Sequence, residues 1–183
     1  MRNSRIITTH VREKYEAVNT INNYLRTYFK NNKKLDDIII IGIGTDKCIG
    51  DCLGPLVGTI LKRKNFNFSV YGTLKRPLHA LNLKDRLRTI NAKHPNAFII
   101  AVDACLGEDE NIGTVQIRNG PIDPGKGVGK DLPSVGDLSI IGIVDKLSNN
   151  SSSTLHNIRL SFVLEMAEII AEGIMTGLFT LSY

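Results

Sequence analysis

The chain has 183 residues, 42% of them hydrophobic and 22% charged, with a formal net charge of +5. That length predicts one domain, residues 1–183, with a core that needs neither disulfides nor a structural metal. Three cysteines, Cys48, Cys52 and Cys105, exclude an evenly paired secreted framework, and no run approaches the roughly 20 apolar residues of a membrane span. The amino-terminal "MRNSRIITTHVREKY" lacks the apolar centre of a secretory signal. Basic clusters at Lys30, Lys33 and Lys34 and at Lys62, Arg63 and Lys64 are not interleaved with aromatics. They read as solvated surface rather than a nucleic-acid stripe. The expectation is a cytoplasmic protein with reduced thiols that contacts neither membrane nor nucleic acid directly.

In chain order, residues 1–35 form an N-terminal helical segment, with Val11, Tyr15, Val18, Leu25 and Phe29 recurring at helical steps. "IIIIGIG" is apolar and β-branched throughout, which predicts a strand covered on both faces. "LGPLVGTILKRKN" reads as a helix with Pro55 in its first turn. "NFSVYGTL" predicts a strand, and "HALNLKDRLRTINAKHPN" a helix with Leu81, Leu83, Leu87 and Ile90 on its inner side. "AFIIAVDAC" predicts a buried strand ending in an acid, "GTVQIRN" an edge or hairpin strand, and "LSIIGIVD" another buried strand. "PIDPGKGVGKDLPSVGD" is a long Gly/Pro loop, "SNNSSS" a polar loop, and "TLHNIRLSFVLEMAEIIAEGIMTG" a long amphipathic helix. Strands alternating with helices give an α/β fold with a mainly parallel sheet. In such sheets functional groups gather at the carboxyl ends of the strands.

Two glycine-rich motifs fail as nucleotide sites. In "GIGTDKCIGDCLGP", Gly42 and Gly44 fit a dinucleotide fingerprint but Lys47 stands at its third glycine. In "PGKGVGKD", Gly125 and Gly129 are too close for a P-loop and Asp131 follows Lys130 where a hydroxyl is required. The acids are more informative. Asp51 precedes a helix and Asp103 ends an apolar strand, so both fall at one sheet edge. Each has an ordinary alternative as a helix or turn cap. Together, two close carboxyls push their pKa values apart and can act as acid and base on a peptide bond. Gly44, Thr45 and Gly50 in one loop, with Asp123, Gly125, Gly127 and Gly129 in the other, would shape the substrate pocket, and backbone N–H groups there would stabilise an oxyanion. His79 is a third polar group for that pocket, or simply a helix-start residue. The same acids, Asp51 and Asp103, could hold a divalent metal. His79, His94, His156 and Asp123 are the candidates for a third ligand, but no His-x-x-x-His or Cys-x-x-Cys spacing completes a set. A thiolate site from Cys48, Cys52 and Cys105 is the remaining metal option, against the commoner role of small buried side chains.

The stretches "IGIGTDKCIGDCLGPLVG", "AVDACLG", "IGTVQIRNGPIDPGKGVGKDLPSVGD" and "LSIIGIVD" resemble the YyaC family of sporulation proteins from about Asp36 to the C-terminal helix. More distantly the chain resembles the bacterial spore germination protease. That enzyme has the same order of Asp-x-Leu-Gly-Pro, a strand ending in Asp-Ala, and Pro-Gly-x-Gly-Val-Gly. It also resembles the hydrogenase maturation proteases. The resemblance implies a three-layer α/β/α sandwich and a catalytic pair at Asp51 and Asp103. It implies a spore-associated peptidase acting on small acid-soluble spore proteins. In the maturation proteases the matching acids bind the nickel of the substrate protein, which implies a metal-recognising alternative. A non-enzymatic sporulation binding protein is the other. The chain departs from the germination protease in having Asp123 in place of a histidine, in being shorter, and in showing no counterpart of its propeptide.

Overall fold

The computed structural model describes residues 6–32, 37–125, 132–146 and 158–179. The elements are β1 (Ile7–His10), α1 (Lys14–Asn31), β2 (Ile38–Gly42), α2 (Leu53–Arg63), β3 (Ser69–Tyr71), α3 (Leu83–Lys93), β4 (Phe98–Gly107), β5 (Thr114–Asn119), β6 (Leu138–Lys146) and α4 (Leu160–Leu178). The strands form one sheet in the order β1-β5-β6-β4-β2-β3. The β3–β2, β2–β4 and β4–β6 pairings are parallel, whereas β5 runs antiparallel to both β6 and β1.

Helices lie on both faces, as expected of a three-layer sandwich. Alternation along the strands divides the core. Ile38 and Ile40 of β2 with Ile100 and Val102 of β4 pack under α1, α2 and α4. Ile39 and Ile41 with Ala101 pack under α3, whose Leu83, Leu87 and Ile90 face inward. All five residues of β2 are buried, which is why that strand shows no alternation in sequence. Each isoleucine fully enclosed there contributes about 2 kcal/mol by removal from water. α4 is the most apolar helix because it lies over α1 and α2 as well as the sheet. Among the described residues no helix is long and apolar enough to cross a membrane.

Three local expectations change. The N-terminal segment is not wholly helical, since Ile7–His10 is the edge strand β1 and α1 begins only at Lys14. The β-branched Ile7, Thr8 and Thr9 suit that pairing, which moves β5 from the sheet edge to its interior. Leu81 is 89% exposed rather than on the inner side of a helix. It sits in a turn closed by the His79 N–H donating to Asn82 Oδ1 at 3.0 Å, and α3 starts after it. β4 continues to Gly107, so Asp103 lies inside the strand rather than at its end. "SNNSSS" and the first residues of the last predicted helix lie outside the described residues.

Candidate active site at the β2–β4 switch point

Strand β2 accompanies β4 only as far as the Gly42–Val102 pair. Beyond it β4 continues beside β6 alone, and Asp103 is the first residue past the separation, opposite Ile141. The chain leaves β2 through α2 on one face and returns to β4 through α3 on the other, so the crevice beyond β2 and β4 is a topological switch point. The alternation that puts Ala101 under α3 puts Asp103 on the same face, where it is only 8% exposed. Burial pushes its pKa well above the ordinary 3.8, and the negative charge of Asp51 pushes it further. The Ala104 N–H, donating to Asp103 Oδ1 at 2.8 Å, offsets part of this.

Asp51 reaches the crevice through the loop after β2. The Ile43 N–H donates to the Val102 carbonyl at 2.8 Å, Gly44 N–H to Leu78 at 2.7 Å, and Thr45 N–H to Asp51 at 3.0 Å. Gly44 has φ +131, and a Cβ there would stand 1.9 Å from the Asp51 carbonyl oxygen. A side chain at this position is therefore both strained and obstructed. The short 3-10 turn Ile49–Asp51 then packs on β4 and delivers a partly exposed Asp51, with Gly50 buried beneath it. Immediately after, Gly54 lets the first turn of α2 lie on the strand ends. A Cβ on it would meet the Ile43 carbonyl oxygen at 2.2 Å and that of Val102 at 2.8 Å. This is the helix-to-strand contact that the last glycine of a dinucleotide fingerprint makes. Here it falls on Gly54, in the first turn of α2.

The other expected pocket residues divide. Gly44 and Thr45 spend their N–H groups inside the fold, on the Leu78 and Asp51 carbonyls respectively, so these two amides are not oxyanion donors. The His79 imidazole serves its own turn, accepting the Leu81 N–H at Nδ1 (3.3 Å), although Leu78 beside it bridges to Ile43 at the crevice. Asp123 is exposed and accepts the Ser134 hydroxyl at 2.6 Å, next to the Ile122–Val135 bridge. Gly125 turns at φ +74. Gly127, Gly129 and His156 lie outside the described residues. His94 is remote in role: its Nδ1 meets Asp37 Oδ2 at 2.6 Å and its Nε2 meets the Tyr71 hydroxyl at 2.8 Å, tying the end of α3 to the sheet.

None of the three cysteines is in a disulfide. Cys52 is buried, its Sγ donates to the Ile49 carbonyl at 3.0 Å, and burial pushes its pKa to about 11. Cys105 stands on the Asp103 face. Desolvation and then Asp103 raise its pKa, while the Leu106 hydrogen bond and Arg118 lower it in part. Neither shift favours a thiolate. Among the described residues no three His, Cys, Asp or Glu side chains are grouped to hold a metal. Asp51 and Asp103 supply two carboxyls and, among the described residues, no third side chain completes a coordination set, so the described residues alone do not make a site for a resident divalent ion. What they do provide is a buried carboxyl whose hold on its proton is raised, within electrostatic reach of a second acid, at the mouth of a parallel sheet.

Residues 9–173 match the family model described as "Protein of unknown function (DUF1256)". The chain is 51% identical over 138 residues to "Uncharacterized protein YyaC" of Bacillus subtilis (strain 168), a match covering 75% of this chain and 67% of that protein. The resemblance carried by the glycine and aspartate motifs is thus met at the level of that relative. Among solved structures, a [NiFe] hydrogenase maturation protease, HycI from Thermococcus kodakarensis KOD1, aligns with a TM-score of 0.46 at 22% identity, over 82% of this chain and 98% of that one. By the extent of the family match, the chain belongs to the DUF1256 family.

Proposed function

We propose that the chain is a peptidase-type hydrolase in which Asp103 and Asp51 are the acid and the base. The observation that carries the reading is the buried Asp103 carboxyl at the switch point, held toward its protonated form by burial and by Asp51. Two acids with separated proton affinities are what hydrolysis of an amide needs. Asp51 takes a proton from water as the water oxygen bonds to the peptide carbonyl carbon, and Asp103 gives its proton to the carbonyl oxygen. On collapse the C–N bond breaks, the leaving amine takes the proton from Asp51, and Asp103 recovers one from the hydroxyl. No metal enters these steps.

The motif order shared with the spore germination protease supports a peptide substrate, and small acid-soluble spore proteins in the sporulating cell or spore are the class to try. Purified protein incubated with them and read by mass spectrometry should yield defined fragments. Asp51→Asn and Asp103→Asn should each lower cleavage by about 100-fold or more. Cleavage that survives in both variants would end the acid–base reading. The net charge of +5 favours a second reading, a binding protein for acidic partners. Stable association with no fragments from the wild type would select it.

A further inference from the structure

The first turns of α4 reach the crevice. A Cβ on Gly142, the β6 residue opposite Ala104, would meet both Leu53 at the start of α2 and Met166 of α4. Met166 thus crosses the sheet at the level of the residue after Asp103. From there α4 runs beside α1, with Gly173 against Ile21 and Gly177 against Leu25. That direction leads to the strand starts, where Phe29 of α1 packs on Phe98 with ring centroids 5.3 Å apart. The residues of α4 before Met166 therefore stand beyond the carboxyl ends of the strands, and there the helix packs on the 3-10 turn Ile49–Asp51. Gly173 turns one flank of α4 to α1, and Leu164, nine residues earlier, lies half a turn round, on the flank toward α2 and that 3-10 turn. Leu160 is one turn before Leu164 on the same stripe. Leu160 is 52% exposed, Leu164 38% and Ile49 36%, although Val163, Met166 and Ala167 of the same helix are fully buried. Of the seven large apolar side chains exposed among the described residues, three thus gather at one lip of the crevice. Ile49 sits two residues before Asp51 in the same turn, about 4 Å along its axis. An extended peptide advances about 3.3 Å per residue, so a side chain one or two residues from a bond held at Asp51 falls on this lip.

We infer that Ile49, Leu160 and Leu164 form a specificity subsite that takes one apolar side chain, of leucine size or larger, from the peptide whose bond meets Asp51. Three partly exposed side chains suit a single such residue and fall far short of the roughly 800 Å² that each partner of a stable dimer buries. Because Ile49 and Asp51 share one short turn, an apolar residue seated there fixes the peptide's position relative to the base. The inference rests on reading Asp51 and Asp103 as the reacting pair, and it names the class of peptide they meet.

The test reads binding, so no cleavage is required. Asp103→Asn protein labelled with nitrogen-15 is titrated with a blocked pentapeptide carrying a central leucine among alanines, and with its all-alanine and central-glutamine counterparts. Binding is followed by the amide signals of the protein. The leucine peptide should bind about tenfold more tightly than either counterpart, the effect of burying most of one leucine side chain. It should also move the signals of Ile49 and Leu164. The preference should vanish when Leu160→Ser and Leu164→Ser are combined and persist when Leu160→Met and Leu164→Met are combined. As surface substitutions, the serine pair should leave Tm within about 2 °C of the parent. Absence of a leucine preference, or a preference that survives the serine pair, overturns the subsite. A fall in Tm of more than about 5 °C in the serine variant would show that the chain's own residues cover the two leucines. A wild-type dimer that the serine variant loses in sedimentation would show that a second copy covers them. Either result also overturns the subsite. A leucine preference that depends on Leu160 and Leu164, in a protein whose wild type yields no fragments from these peptides or from spore proteins, would sustain the subsite and sink the hydrolytic reading.

Discussion

Replacing Asp103 by asparagine should make the protein more stable at neutral pH, and the gain should depend on pH in a stated direction. In the folded chain Asp103 holds its proton more tightly than an ordinary aspartate of pKa 3.8, first because it is buried and second because Asp51 is near. The folded state therefore binds more protons than the unfolded state between 3.8 and the raised value. Stability from this group is fully present below about 3.8 and is lost as pH rises through the folded pKa, after which the loss is constant. Each pH unit within that window costs about 1.4 kcal/mol, which in a chain of this size is a fall of about 3–5 °C in Tm. Asparagine keeps an oxygen for the Ala104 N–H and has no charge to bury. Urea melts of both proteins from pH 4 to pH 8 give the difference directly and cancel the titrating groups that are not coupled to Asp103. The gap, variant minus wild type, should widen with pH and then level off. Asp51→Asn should move the levelling point to lower pH, because one cause of the elevation is gone. Parallel wild-type and Asp103→Asn curves would refute the premise that Asp103 is buried at the expense of its ionised form. They would remove the basis for treating it as the acid.

Gly44→Ala should destabilise by about 1–3 kcal/mol from its positive φ alone and should push the Asp51 backbone out by about 1 Å, since contacts under 3.0 Å are not sustained. Urea titration and, where cleavage is found, a drop of about 100-fold in kcat/KM with the fold intact would register this. Toward iodoacetamide at pH 8, Cys105 should be modified well before Cys52, whose pKa of about 11 and burial leave it a protected thiol; equal rates would mean that α2 opens readily from the sheet. Tyr71→Phe and Asp37→Ala should each cost about 1 kcal/mol, with a non-additive double variant, because both act through His94; additivity would show that the chain of hydrogen bonds is not coupled.

Where one kind of residue had one physical use, the sequence was enough. The unbroken "IIII" could only be a strand covered on both sides, and it is. Asp103 stood out because an acid in "AFIIAVDAC" has to be neutralised, hydrogen-bonded or used, and the fold keeps it buried with a raised pKa. What stayed hidden depends on partners far along the chain. β1 could not be told from the approach to α1, because "ITTH" becomes a strand only by pairing with β5, more than a hundred residues away. The glycine that seats α2 on the strand ends could not be told from the others, because what marks Gly54 is the approach of the Ile43 and Val102 carbonyls. The neighbour of Asp103 was equally illegible, because β6, the last described strand in sequence, inserts between β4 and β5 and sets Asp103 opposite Ile141.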